Sequence, residues 1–187
     1  YNFTSKGEKI EPRDYQLNAV EHGLRNKQAL IISPTASGKS FIIYNLVRHY
    51  LENNSRRVLL VVPTTSLVRQ MYGDFDDYSE FDDGFDAEKL CHMIYAGRPK
   101  FERTERVIIT TWQSIYKLPG PWFEQFGMVI GDEAHNFKAK SLISILNKCR
   151  DAEYRFGTTG TLDGTQTHRL QLEGGFGPVY RVISTKQ

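Results

Sequence analysis

Short apolar runs alternate with helical patterns along this chain, and the alternation constrains its fold more than any single motif does. Ala29-Leu30-Ile31-Ile32 is followed by Ile42, Ile43, Leu46, Val47, Tyr50 and Leu51 at helical spacing. "RRVLLVVP" leads to a helix from about Thr65 through Leu67, Val68 and Met71. "CHMIYAG" precedes "RVIITT" and the short amphipathic "WQSIYKL"; "GMVIGDEAH" leads to "SLISILNKC"; and "EYRFGTT" closes the series. Such runs read as strands covered on both faces. Their alternation with helices predicts an α/β fold: a mostly parallel central sheet, right-handed crossovers, helices on both faces, and ligands at the carboxyl ends of the strands.

Directly after the first apolar run stands "SPTASGKS", Ser33 to Ser40. It meets the phosphate-loop pattern at Gly38, Lys39 and Ser40, with Ser33 in place of the first glycine. A loop of Pro34, Thr35, Ala36, Ser37 and Gly38 opening a helix would aim unpaired N–H groups at phosphates. Lys39 would reach the outer phosphates, and Ser40 a magnesium ion. The small Ser33 and Ala36 still allow close backbone approach. The competing reading is a Ser/Gly turn that caps a surface helix beside a solvated lysine.

About ninety residues later the apolar "MVIG" ends in Asp132-Glu133. In a phosphate-loop enzyme Asp132 can hold magnesium through its water shell, and Glu133 can orient or deprotonate an attacking water. Alone, such a pair is more often a solvated turn. Paired with Gly38-Lys39-Ser40 in an alternating fold, it reads as a catalytic pair.

Composition excludes several classes. At 187 residues, 40% hydrophobic and 25% charged, the chain suits one globular domain. It carries no run of 18 apolar residues and no secretory leader pattern, which predicts no membrane partner. Cys91 and Cys149 lack metal-ligand spacing and read as reduced thiols of a cytoplasmic protein. Against 24 Lys and Arg stand 22 Asp and Glu, so any nucleic-acid contact must be local rather than driven by a basic stripe. The acidic stretch from Gly73 to Lys89 fails as an EF-hand, because Phe81 and Leu90 fall where oxygen ligands are required. It reads as a solvated helix end and loop, with Phe75, Tyr78, Phe81 and Phe85 partly anchoring it to the core. The first residue, Tyr1, is not Met, which suggests a fragment or a processed chain.

With Asp132-Glu133-Ala134-His135 in view, the chain resembles a superfamily 2 helicase of the DEAH or DExH kind, and further motifs fall into register. "RDYQ" resembles the Q motif, "VVPTTSLVRQM" motif Ia, "IYAG" and "ITTWQSI" the next two nucleic-acid motifs, and "TTGT" motif III. The resemblance implies that residues 1–187 form the first RecA-like phosphate-loop NTPase domain, with ATP and Mg2+ as cofactors. It further implies that a second RecA-like domain, and any N-terminal domain, lie outside this chain. Gln16, supported by Arg13, would select adenine, although "PRDYQLNAV" can equally be a simple helix start. Thr64, Thr65, Gln70, Gly97, Thr110, Thr111 and Gln113 would bind nucleic-acid phosphates, although the threonines can equally cap helices. Trp112 is read as core. His135, Thr159, Gly160 and Thr161 would link the phosphate end to the nucleic-acid end. Ser33, Ala36 and the short Ser40 in place of Thr depart from the pattern.

The resemblance implies an ATP-dependent DNA helicase motor, monomeric, that couples hydrolysis to movement along one strand. "LEGGFGPVYRVIS" is similar to the corresponding stretch of phage recombination and repair helicases, which implies branched DNA as substrate. Nothing in composition separates DNA from RNA. An RNA-remodelling DExH protein, the motor subunit of a restriction enzyme, and a nucleotide-gated binding module stay open. No arginine-rich helicase motif follows "GTTGT", and Arg155, Arg169 and Arg181 read as surface or sheet-edge residues.

Overall fold

Seven strands in one sheet carry the site, and the computed structural model describes them through residues 1–34, 38–95, 105–160 and 166–183. The strands are β3 (Gln28–Ile32), β4 (Arg57–Val62), β5 (Cys91–Ile94), β6 (Val107–Thr111), β7 (Phe126–Asp132), β8 (Tyr154–Thr159) and β9 (Val179–Arg181). Their order is β5-β6-β4-β7-β8-β3-β9, and every pairing is parallel. A small antiparallel hairpin, β1 (Thr4–Ser5) and β2 (Glu8–Lys9), stands apart from this sheet. The helices are α1 (Asp14–Asn26), α2 (Lys39–Asn53), α3 (Thr65–Tyr78), α4 (Ala87–Leu90), α5 (Trp112–Ile115), α6 (Gly120–Phe123), α7 (Ala139–Lys148) and α8 (Gln166–Phe176), with a 3₁₀ turn at Ala134–Asn136.

Strand alternation sorts the core into two layers. Val58, Leu60, Val62, Met128 and Ile130 face one side with α1, α2 and α3. Leu59, Val61, Ile108 and Val129 face the other, against α5 to α8. Both faces are therefore covered, which is why the strands read as unbroken apolar runs. Trp112 lies in the second layer, as its sequence context suggests. Cys91 and Cys149 are free and buried; burial pushes both thiols up, Cys149 to about 12, so neither is a reactive thiolate. Among the described residues no helix is long and apolar enough to cross a membrane.

The acidic stretch is only partly what its composition suggests. Phe75 and Phe85 are buried and Tyr78 is half-buried, but Phe81 is 58% exposed and anchors nothing. The anchor at that point is ionic. Arg48 of α2 holds Asp82 through Nε–Oδ2 at 2.8 Å and Nη2–Oδ1 at 3.2 Å, and it also bonds Glu52. Gly84 makes room for this fork, since a Cβ there would lie 2.1 Å from Arg48 Nη2.

Helix α8 escapes the sequence pattern because Gly174 and Gly175 interrupt it. The structure accounts for one of them: a Cβ on Gly175 would lie 2.6 Å from Leu146 Cδ1, so the glycine lets α7 and α8 approach closely. The helix ends on Phe176, which lies over Gly131 and Gly157, direct partners in the β7–β8 pairing. Those two glycines form a bare patch shaped to one aromatic ring. Gly157→Ala puts a Cβ 2.5 Å from Phe176 Cδ2, so it is expected to cost about 1–3 kcal/mol by overpacking. A lower urea midpoint with an unchanged m-value, partly recovered by adding Phe176→Leu, checks this.

Candidate nucleotide site

The carboxyl ends of β3, β7 and β8 lie side by side, and the predicted catalytic residues meet there. After β3 the chain turns through Gly38, whose φ of 70° is open to glycine at little cost, and α2 begins at Lys39. Lys39 Nζ lies 3.1 Å from Asp132 Oδ1 and bonds Glu133 Oε1. Consecutive strand residues point to opposite faces, so Asp132 and Glu133 could not both reach Lys39 from an extended chain. Glu133 solves this by adopting φ 52°, ψ 45°, a left-handed conformation costing a non-glycine residue about 1–2 kcal/mol.

Two relays leave this centre. Thr158 Oγ1 donates to Asp132 Oδ1 at 2.6 Å, fixing a carboxylate that is 3% exposed. On the other branch, His135 Nε2 lies 3.5 Å from Glu133 Oε2 while its Nδ1 is bonded to Thr159 Oγ1. A neutral ring with its proton on Nε2 serves both neighbours, facing the carboxylate with N–H and the hydroxyl with a lone pair. Gly160 follows at the strand end, and an added Cβ there would come no nearer than 4.0 Å to Ser33 O.

On the base side, Gln16 is buried in the first turn of α1. Its Oε1 accepts the N–H of Arg13 at 2.9 Å, so the residue caps the helix. A Cβ on Gly38 would lie 2.5 Å from Gln16 Nε2, so the same amide also packs against the phosphate-loop glycine. The helix cap and the packing against Gly38 thus use one amide. The cleft, of about 380 Å³, is lined by Ser5, Ile10, Arg13, Gln16, Phe41 and Tyr78 among others.

Ser40 Oγ lies 2.7 Å from Tyr78 Oη, with Asp74 of α3 nearby. Burial pushes the Asp74 carboxyl up, the nearby Ser40 hydroxyl opposes this, and Asp77 and Asp132 add to the rise. Asp74, Asp132 and Glu133 thus surround one ammonium and one hydroxyl. The surplus of oxygen and negative charge suits a hard divalent cation. Among the described residues no three His, Cys, Asp or Glu form a metal cage. A hydroxyl and a carboxylate are the sparse set that Mg2+ uses when phosphates complete its shell, so Ser40 and Asp132 fit that ion.

Of the predicted nucleic-acid residues, Thr64 and Thr65 follow β4, Gln70 lies within α3, and Thr110, Thr111 and Gln113 lie at or just after the end of β6, across the sheet order from β3 and β8. Thr64 is exposed and its Oγ1 accepts the N–H of Leu67 at 3.2 Å, so it caps α3. Thr65 is half-buried, and Gln70 and Gln113 are exposed, with Gln113 Nε2 3.4 Å from Pro63 O. Thr111 is buried and shares a hydrogen bond with Ser114. Thr110 does not reach the surface: it is 0% exposed, and its hydroxyl donates to Thr111 O at 3.0 Å. It closes the strand end and is not a contact residue in this arrangement. Pro34 directly follows β3 and buried Ser33. Thr35, Ala36, Ser37, Gly97 and Thr161 lie outside the described residues.

Sequence reading missed Thr158, Asp74 and Tyr78. Thr158 was within reach, because "TTGT" and "GDEAH" each end a strand. Its partner follows only from the register Asp132↔Thr158. The setting of Lys39 also differs from that of an exposed loop lysine: its side chain is 17% exposed. Lys39→Ala is therefore expected to cost about 1–3 kcal/mol at neutral pH, because it strips the ammonium from a buried carboxylate. Chemical denaturation without nucleotide measures it, and a change within about 0.5 kcal/mol, as for an ordinary surface site, contradicts the pairing.

Residues 9–164 match the family described as "Type III restriction enzyme, res subunit". The chain is 36% identical over 186 residues to the ATP-dependent DNA helicase uvsW of Enterobacteria phage T4, covering 98% of this chain and 36% of that protein. It is 29% identical over 154 residues to the DNA 3'-5' translocase XPB2 of Sulfurisphaera tokodaii, covering 82% of this chain and 31% of that one. The chain thus spans about a third of the length of these relatives. The crystal structure of the UvsW helicase from bacteriophage T4 superimposes with a TM-score of 0.87 at 36% identity, over 97% of this chain and 64% of that chain. The Pyrococcus furiosus Hef helicase domain shares the fold, with a TM-score of 0.76 at 23% identity over 92% of this chain and 39% of that one. A parallel sheet of this order, the convergence of Lys39 with Asp132 and Glu133, and a family match over most of the chain agree: the protein belongs to the type III restriction enzyme res-subunit family of superfamily 2 helicases.

Proposed function

We propose that this chain is the first RecA-like domain of an ATP-dependent DNA helicase or translocase, working with a second RecA-like domain of the same protein. The observation that carries the proposal is the meeting of Lys39, directly after the Gly38 turn that follows β3, with Asp132 and Glu133 at the end of β7. A phosphoryl-transfer site needs little else of the protein than positioning and charge. Gly38, Lys39 and the loop Pro34-Thr35-Ala36-Ser37 cradle the phosphates, and Gln16 with Arg13 reads the adenine. Ser40 and Asp132 hold Mg2+, which supplies charge to offset the phosphate oxygens. Glu133 orients and deprotonates the attacking water. His135, Thr159, Gly160 and Thr161 pass the state of that site toward the nucleic-acid side. There Thr64, Thr65, Gln70, Gly97, Thr111 and Gln113 engage the backbone phosphates of one strand through hydroxyls, amides and N–H groups, without a basic stripe.

DNA is favoured over RNA because uvsW and XPB2 are both named for action on DNA. On this reading the chain acts as a monomer in the cytoplasm on branched DNA during recombination, repair and replication. The family description favours one second reading, a restriction-enzyme motor. ATP-dependent double-strand cleavage by the complete protein would select that reading.

Glu133→Gln is expected to retain magnesium-dependent ATP binding and lose about 10² to 10⁴ in hydrolysis, since the amide keeps shape and loses the base. Asp132→Asn should instead weaken the magnesium-dependent part of binding, and Lys39→Ala should abolish turnover. Equal binding and equal residual turnover in the two acid variants contradict their separate roles.

Residues 1–187 alone are expected to hydrolyse ATP slowly and unwind nothing. Arginine fingers of the kind a second domain supplies are worth about 10³ to 10⁵ in turnover. Arg155 is committed to the carbonyls of Leu146, Cys149 and Ala152, and Arg169 to Glu173. Robust DNA-stimulated hydrolysis by 1–187 at monomer concentrations and fixed low salt would overturn the two-domain arrangement.

A further inference from the structure

Tyr78 ends α3, a helix that begins at β4 on the nucleic-acid side, yet its side chain belongs to the nucleotide side. Its ring meets Phe41 edge-on at 5.0 Å and walls the cleft beside Gln16 and Gly38. Its hydroxyl is 2.7 Å from Ser40 Oγ. The neighbouring Asp77 fixes this end of α3 to the β1–β2 hairpin: its carbonyl accepts from Thr4 Oγ1, and its Oδ1 accepts from Lys6 N–H, each at 2.8 Å.

The chemistry of a single hydroxyl explains why a fixed partner matters. Serine has one proton to give and two lone pairs to offer. The 2.7 Å bond to Tyr78 Oη, in which either oxygen can be the donor, occupies one of these and fixes the direction of the others. Threonine at this position would have its χ1 restricted by β-branching, whereas serine rotates among three wells. A serine that must ligate a cation therefore needs its orientation supplied by neighbours.

We infer that Tyr78 is a positioning residue that orients the Ser40 hydroxyl toward a divalent cation, and that the Tyr78 ring ties this hydroxyl to the base-binding cleft. The inference rests on the nucleotide-site reading above and deepens it. It assigns a role in metal-dependent nucleotide binding to the end of the helix that leaves the nucleic-acid side.

The test is the gain in affinity for a fluorescently labelled ADP on passing from EDTA to saturating MgCl2, measured on the 187-residue chain. Tyr78→Phe removes one oxygen and keeps the ring; it is expected to cut that gain about three- to tenfold, the size of one hydrogen bond. In a Ser40→Ala background, Tyr78→Phe should have no further effect on the gain. A merely structural role would lower both affinities alike and leave their ratio unchanged, which would overturn the inference. An equal gain in parent and Tyr78→Phe would overturn it as well, with the nucleotide site standing. No magnesium-dependent gain in the parent chain would overturn both.

Discussion

An ammonium at the start of α2, held by two carboxylates at the end of β7, is the constraint on which the rest of this molecule depends. Lys39 comes from the first turn of α2, while Asp132 and Glu133 come from the end of β7, so the contact exists only if β3 and β7 run parallel and end level. Strand β8 lies between them and contributes Thr158, which holds the buried Asp132 in place. The backbone pays for this convergence at one non-glycine position, Glu133, in its left-handed conformation. Strain of that kind persists only where surrounding packing over-determines it. Here the packing is the apolar β7 on one side of the turn and Ala134 and Phe137, both buried, on the other.

Charge explains how a nearly neutral protein can present two different faces at one edge of its sheet. Strand order puts β4 and β6 on one side of β7, and β8 and β3 on the other. The β3 side concentrates carboxylates around Lys39 and Ser40, which suits a cation and phosphates together. The β4 and β6 side offers Thr64, Gln70 and Gln113, which can meet phosphate oxygens one hydrogen bond at a time without a long-range field. Helix α3 spans the two, beginning at the Thr64 cap and ending at Tyr78 beside Ser40.

What could be read from the sequence follows from which interactions are local. Strands β3, β4, β6, β7 and β8 announce themselves as apolar runs because both faces of the sheet are covered, and Gly38, Lys39, Ser40 and the acidic pair sit where the alternation puts them. The β1–β2 hairpin does not, since two residues per strand leave no period to detect. Helix α8 hides behind Gly174 and Gly175, one of which serves its packing against α7. Tyr78 and Asp74 lie in a stretch whose composition reads as solvated, and only the crossing of α3 over α2 brings them to Ser40. Phe81 shows the converse error, an aromatic residue that composition places near the core and the fold leaves in solvent.

The missing first glycine of the phosphate loop bears directly on how the two ends of the site communicate. A glycine is required where φ is positive or a Cβ would clash, and Ser33 is not among the positive-φ residues described. It is buried, and its N–H donates to Thr159 O at 2.9 Å, continuing the β3–β8 ladder by one residue. The loop therefore turns left-handed at Gly38 and leaves its strand at Ser33 in ordinary extended geometry. That ladder bond joins the start of the phosphate loop to the backbone of Thr159, whose hydroxyl bonds His135, whose ring in turn faces Glu133. The place of Ser33 thus asks for a backbone N–H and a small buried side chain rather than for glycine.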